Sequence, residues 1–267
     1  MFDFTQLEEV RRRRPLIHCV SNIVTANDCA NLALAVGASP MMAEAPEEMA
    51  EITAISDSTV LNMGTPAADK YSAARVCIEE SKRLGKPFVL DPVGVGASAW
   101  RLDGASSLLS LGSPDILRVN LAEAEAILGL GANEQGVDSP GRTDIEQRTR
   151  AASALAGMFC CTVLLTGETD VVSDARRSCA VSGGSGMMPY ITGSGCMLSV
   201  LCGAFLAVAG DAYSAAATAS AYWKRCSERA EIAAGGRGPG SLRQALMDAA
   251  YAMTDETLAS GASIEEL

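Results

Sequence analysis

Short apolar runs in this chain each stop at a polar residue or a turn-former, and segments of helical period separate them. Residues 15–20 (PLIHCV), 40–43, 60–63, 88–90, 115–119 and 162–165 read as buried strands. A helix opens at Thr25 after the first run, with Cys29, Leu32, Ala33 and Val36 on one face and Gly37 at its end. Pro46 and Pro66 stand where a first helical turn accepts proline, and further helices are expected over 121–128 and 143–158. Strand-then-helix order over this much chain predicts an α/β fold, a mostly parallel central sheet with helices on both faces. The runs at 169–173, 178–181 and 187–191 lie too close together for crossover helices, so they predict antiparallel strands at one edge. Beyond Gly195 the pattern is mostly helical, with breaks at Gly210, Gly235 and Gly261. No long linker, repeat or low-complexity tract interrupts the chain, and residues 1–267 are expected to form a single domain.

Composition narrows the function. The sequence carries 21 Lys+Arg against 32 Asp+Glu, a net charge of −11. That charge argues against a nucleic-acid or anionic-membrane surface and leaves room for a local basic pocket. The longest apolar segment, about 197–209, is too short to cross a bilayer. There are 9 cysteines, an odd number, several of them inside apolar runs where a thiol behaves as a small hydrophobe. His18 is the only histidine and no paired CxxC motifs occur, which excludes a Cys/His zinc site. A reduced, cytoplasmic protein is expected.

In open α/β sheets ligands gather beyond the carboxyl ends of the strands, and polar residues cluster at those ends here. Ile191-Thr192-Gly193-Ser194-Gly195-Cys196-Met197 runs from a predicted edge strand through a glycine-rich turn into an apolar helix. Such a turn serves either packing or an anion, because its amides and the helix N-terminus favour negative charge. Cys196 lies in the first turn, where a thiol is either a small buried residue or an activated one; nothing local places His18 beside it. Asp91, at the end of a strand and before Pro92-Val93-Gly94, is either a cap for the next turn or a metal-organising carboxylate. Asn120 and Glu123 have the spacing of a capping box. In the functional reading, Arg118 faces phosphate oxygens and Glu123 a magnesium ion. Thr166, before Gly167-Glu168, offers a hydroxyl to a phosphate.

Taken together, several segments resemble the hydroxyethylthiazole kinase family of the ribokinase-like superfamily. They are Pro15-Leu16-Ile17-His18, Ser21-Asn22, Gly37-Ala38-Ser39-Pro40-Met41-Met42, Leu61-Asn62-Met63-Gly64-Thr65, Asp91-Pro92-Val93-Gly94, Arg118-Val119-Asn120, Thr166-Gly167-Glu168, Thr192-Gly193-Ser194-Gly195-Cys196 and Gly238-Pro239-Gly240-Ser241. The match runs in order from about residue 15 to 245. The resemblance implies a ribokinase-like three-layer sandwich and ATP-dependent phosphorylation of 4-methyl-5-(2-hydroxyethyl)thiazole with Mg²⁺, in thiamine synthesis or salvage. It implies that Met42 and Gly193 contact the thiazole and that Arg118 and Thr166 bind ATP. Cys196 falls where most relatives in the superfamily carry an aspartate base, and Glu123 and Asp91 fall near the metal. It also implies a homotrimer with the thiazole pocket at the subunit boundary. One departure stands out: Val119 replaces a glycine between Arg118 and Asn120, which would crowd the turn if that position needs a positive φ. Three alternatives remain at this stage. One is a kinase of hydroxymethylpyrimidine or pyridoxal type. The others are a ribokinase-like dehydratase of hydrated nicotinamide cofactors and a binding module without turnover. Arg11–Arg14 and the acidic Glu265-Glu266 are expected to be solvated termini.

Overall fold

A computed structural model describes residues 4–130 and 142–267. The strands are β1 (Leu16–Val20), β2 (Ser39–Met41), β3 (Ser58–Asn62), β4 (Phe88–Asp91), β5 (Ile116–Asn120), β6 (Thr162–Thr166), β7 (Asp170–Ser173), β8 (Ser178–Ser182) and β9 (Ser263–Glu266). They form a 9-stranded sheet in the order β2-β1-β3-β4-β5-β6-β7-β8-β9. Strands β1 to β6 are parallel, and β7, β8 and β9 add on antiparallel. The helices are α1 (Gln6–Arg13), α2 (Ala26–Val36), α3 (Met49–Ile55), α4 (Ala68–Leu84), α5 (Ala99–Leu111), α6 (Leu121–Leu128), α7 (Arg142–Phe159), α8 (Ser194–Leu206), α9 (Ala212–Ala234), α10 (Pro239–Ala252) and α11 (Asp255–Gly261).

Both sheet faces are apolar because successive strand residues point to opposite sides. Ile17, Cys19, Val60, Val89, Ile116 and Leu164 pack beneath α2, α8, α9 and α10. Val20, Leu61, Leu90, Leu117, Val163 and Leu165 pack against α4, α5 and α7 on the other face. Helix α8 is buried along nearly its whole length, so its N-terminus is fixed over the rim where the parallel strands end. No helix among the described residues is long and apolar enough to cross a membrane. The cysteines are free, and only Cys160 is exposed.

Three expectations need correction. Residues 187–191 are not a strand: Met188–Tyr190 form a 3₁₀ turn. Pro189 has no N–H to give a ladder, and the Met188 N–H instead donates to the Ser185 carbonyl at 3.1 Å. The sheet edge is taken by β9, so Glu265 and Glu266 belong to a strand paired with β8. Arg11 is not a solvated terminus either. Its guanidinium donates to the carbonyls of Met253 at 2.6 Å and Tyr251 at 2.9 Å, satisfying the C-terminal end of α10. Charged donors of this kind contribute about 2 kcal/mol. Arg11→Ala is therefore expected to lower the melting temperature by roughly 5 °C and to leave activity at 25 °C unchanged, as scanning calorimetry beside a rate assay would show.

Candidate active site

The parallel strands bring their carboxyl ends to one rim, and the strand order reverses at β1, where a ligand crevice opens in such sheets. Asn22 follows β1, and Asn62, Asp91, Asn120 and Thr166 close β3, β4, β5 and β6. Above this rim the chain turns at Gly193, whose φ is 77°, and enters α8. A side chain cannot stand at Gly193, since a Cβ there would lie 2.1 Å from Thr25 Cγ2. Gly195 is as confined: a Cβ would lie 2.4 Å from the Arg118 guanidinium. The first amides of α8 are thus held against both β1's loop and β5.

A hydrogen-bonded chain crosses the rim beneath this turn. Asn22 Nδ2 donates to Cys196 Sγ at 3.2 Å and to Asn62 Oδ1 at 3.0 Å. Asn62 Nδ2 donates to Asp91 Oδ2 at 2.9 Å, and the Ser199 hydroxyl donates to the same oxygen at 2.6 Å. The other oxygen, Asp91 Oδ1, has no hydrogen bond and faces Arg118 Nη1 at 3.6 Å as an ion pair. Asp91 is fully buried, and burial pushes its carboxyl up to about 6 despite the pull of Arg118, with the Glu123 charge adding to the rise. Burial also raises the Cys196 thiol, and the Asp91 charge adds to it; the amides of Asn62 and Asn22 and the Thr25 hydroxyl pull the other way.

On the far side of Arg118 lies a cleft of about 850 Å³. Arg118 Nη2 donates to the Thr166 hydroxyl at 2.7 Å. The opposite wall is the loop 182–186 with Lys224 and Asp170. Lys224 Nζ sits 3.4 Å from Asp170 Oδ1 and donates to the Glu168 carbonyl at 2.9 Å. Glu123 ties two strand-end loops: its Oε1 accepts from Gly94 N at 2.7 Å and its Oε2 from Asn120 N at 2.9 Å, while Asn120 Oδ1 accepts from Glu123 N at 2.9 Å. The capping box is formed, with the Gly94 contact added.

Gly193, Cys196, Asp91, Arg118, Thr166 and Glu123 are thus gathered at one rim. Met42 follows the edge strand β2 and is 37% exposed; among the described residues no hydrogen bond or ion pair ties it to the Cys196 group. Asp91 does not cap its own turn. Val119 lies within extended β5, its side chain buried in the core, so it does not crowd the rim. His18 is also a core residue: Nε2 lies 3.2 Å from the Ala43 carbonyl and Nδ1 3.4 Å from Thr53 Oγ1, away from Cys196. Sequence reasoning assigned no role to Asn22, Asn62, Lys224 or the loop 182–186. For the loop, the run Gly183-Gly184-Ser185-Gly186 was the available signal.

A family model for the hydroxyethylthiazole kinase family matches residues 7–256. The chain belongs to the hydroxyethylthiazole kinase family. A hydroxyethylthiazole kinase from Listeria monocytogenes serotype 4a is 41% identical over 267 residues, covering 100% of this chain and 98% of that protein. One from Methanosphaerula palustris is 37% identical over 261 residues, covering 98% of this chain and 97% of that protein. The solved structure of the hydroxyethylthiazole kinase protein from Pyrococcus horikoshii superposes with a TM-score of 0.89 at 35% identity, covering 99% of this chain and 98% of that one. A pyridoxal kinase from Staphylococcus aureus, in complex with AMP-PCP and pyridoxal, matches with a TM-score of 0.65 at 14% identity over 94% of this chain and 98% of that one. It shares the fold, a ribokinase-like sandwich of helices on both sides of a mostly parallel sheet. Every rim residue described above falls inside the span matched by the hydroxyethylthiazole kinase family model.

Proposed function

We propose that this chain moves the γ-phosphoryl group of ATP to the primary hydroxyl of 4-methyl-5-(2-hydroxyethyl)thiazole, as a cytoplasmic enzyme acting in thiamine synthesis or salvage. The observation that carries the reading is the fixed N-terminus of α8, with the Arg118–Thr166 cleft on one side and the Asn22–Asn62 amides on the other. ATP lies in the cleft, its phosphates against Arg118 and Thr166. The thiazole lies toward Gly193 and Met42. The bond from the γ-phosphorus to the substrate oxygen forms as the bond to the bridging oxygen of ADP breaks, and the hydroxyl proton passes to Cys196. Amides of Gly193–Cys196 stabilise charge on the transferred group, and positioning supplies most of the barrier reduction. Met42 at 37% exposure, Ile23 at 85% and Val24 at 59% are apolar side chains left exposed after β1 and β2. A homotrimer whose boundary covers them accounts for that exposure.

Among the described residues no group of three or more His, Cys, Asp or Glu is arranged to hold a metal. Glu123 offers oxygens that each already accept one backbone N–H, and Asp91 keeps one oxygen without a hydrogen bond. This donor set fits Mg²⁺ held mainly through water and phosphate, as that ion prefers. Glu123 would orient its water shell and Asp91 would add charge behind it. When bound, Mg²⁺ supplies neutralisation of the phosphate oxygens.

A coupled ADP-release assay with the thiazole alcohol, pyridoxal and hydroxymethylpyrimidine tests the reading; turnover only with either of the latter two overturns it. For Cys196, the thiol's pKa lies above its ordinary value, so the thiolate fraction grows with pH throughout pH 7–9. The wild-type kcat is expected to climb across that range. Cys196→Ser is expected to lose the climb and about 10²-fold in kcat. If the serine variant keeps both, the proton passes elsewhere and the amide cradle alone remains.

A further inference from the structure

Helix α4 carries a lysine, Lys70, as its third residue, in the first turn where the positive end of the helix dipole disfavours a cation. Lys70 is also buried, at 6% exposure. A buried ammonium needs partners to offset its lost hydration, and those of Lys70 come from three separate strand-end loops. Nζ donates to the Ser21 carbonyl at 2.5 Å and the Gly64 carbonyl at 3.0 Å. It lies 3.9 Å from Glu44 Oε1. Ser21 precedes Asn22, Gly64 follows the end of β3 and Glu44 follows the Met42 segment beyond β2.

These ties converge on Cys196. The Gly64 N–H donates to Asn62 Oδ1 at 3.0 Å, the oxygen that also accepts from Asn22 Nδ2. Asn22 Nδ2 in turn donates to Cys196 Sγ at 3.2 Å. Lys70 therefore holds both carbonyl flanks of the amide pair that sets the thiol. The space is tight as well: a Cβ on Gly64 would lie 3.0 Å from Asn22 Nδ2. None of these contacts involves the Arg118–Thr166 cleft.

We infer that Lys70 is a positioning residue for the acceptor alcohol. It fixes the spacing of the β1, β2 and β3 loops around the thiazole and aims Asn22 at Cys196, and it has no part in holding the nucleotide. This rests on the thiazole reading above. Wild-type turnover of the thiazole alcohol with ATP tests that reading, and the variants test Lys70.

The experiment compares the wild type with Lys70→Met and Lys70→Gln, varying each substrate with the other saturating, alongside calorimetric titration of the thiazole alcohol in the absence of nucleotide. The methionine keeps the length of the chain without donors; the glutamine keeps donors without charge. Lys70→Met is expected to raise KM for the thiazole at least tenfold, to weaken thiazole binding in parallel and to leave KM for ATP within twofold. Lys70→Gln is expected to fall between. Equal rises in both KM values, or a thiazole KM unchanged in Lys70→Met, overturn the assignment. If the methionine variant does not fold, a wild-type thiazole KM in Lys70→Gln overturns it. Failure of both variants to fold also overturns it, by making Lys70 a residue of general stability.

Discussion

Gly193→Ala is expected to lower kcat/KM for the thiazole alcohol by about 10²-fold or more, the scale set by misplacing a reacting group by an ångström. Two penalties coincide at this position. The φ of 77° lies in the left-handed region, which costs an alanine roughly 1–2 kcal/mol. The new Cβ would also meet Thr25 Cγ2 at 2.1 Å. Helix α8 is packed on all sides and cannot retreat, so the strain moves either the turn or the start of α2. Adding Thr25→Ser removes the offending methyl and is expected to recover part of the loss, the remainder measuring the backbone term. A Gly193→Ala enzyme with wild-type kinetics would show that this turn positions neither substrate.

Arg118→Met is expected to change activity and stability together, with different pH dependences. On the proposed reading Arg118 is a charged donor to phosphate, and losing about 1.5–3 kcal/mol there is expected to raise KM for ATP by roughly ten- to a hundredfold. In the protein, Asp91 loses the cation that faces it while remaining fully buried. Breaking a buried pair in this way costs about 3–5 kcal/mol. The sign follows from the Asp91 carboxyl, which already sits at about 6, above its ordinary value. A carboxyl raised in the fold binds its proton more tightly folded than unfolded, so ionising it removes stability as pH rises. Removing Arg118 lifts it further. The stability deficit of Arg118→Met should be large at pH 8 and shrink toward pH 5, as urea unfolding at the two values would read. Asp91→Asn added to Arg118→Met is expected to restore stability at pH 8 and leave KM for ATP high. A deficit independent of pH would place the effect elsewhere than in Asp91.

Much of the sheet was legible because parallel strands buried on both faces are continuous apolar runs, and β1, β3, β4, β5 and β6 are of that kind. The edge was not. Strand β9 is short and acidic, so its sequence is that of a solvated tail, and only its partner β8 makes it a strand. The 3₁₀ turn at Met188–Tyr190 has strand-like residues, yet Pro189 rules out a ladder there. Local chemistry was readable: the Asn120–Glu123 box needs only residues three apart. Asn22, Asn62 and Lys70 belong to a constellation spread over 49 positions, from Ser21 to Lys70. Strand order, which no local pattern shows, brings them together. Arg118 was found as a strand-end cation, but its seat over Gly195 depends on a helix almost eighty residues later in the chain.

The carboxylates of Glu265 and Glu266 border the sheet on its β9 side. Another copy adding a strand there would set acidic groups beside acidic groups, an arrangement that repels. Growth of the sheet from chain to chain is thereby disfavoured along that margin; at the opposite margin β2 is only three residues long, and the exposed Met42 follows it.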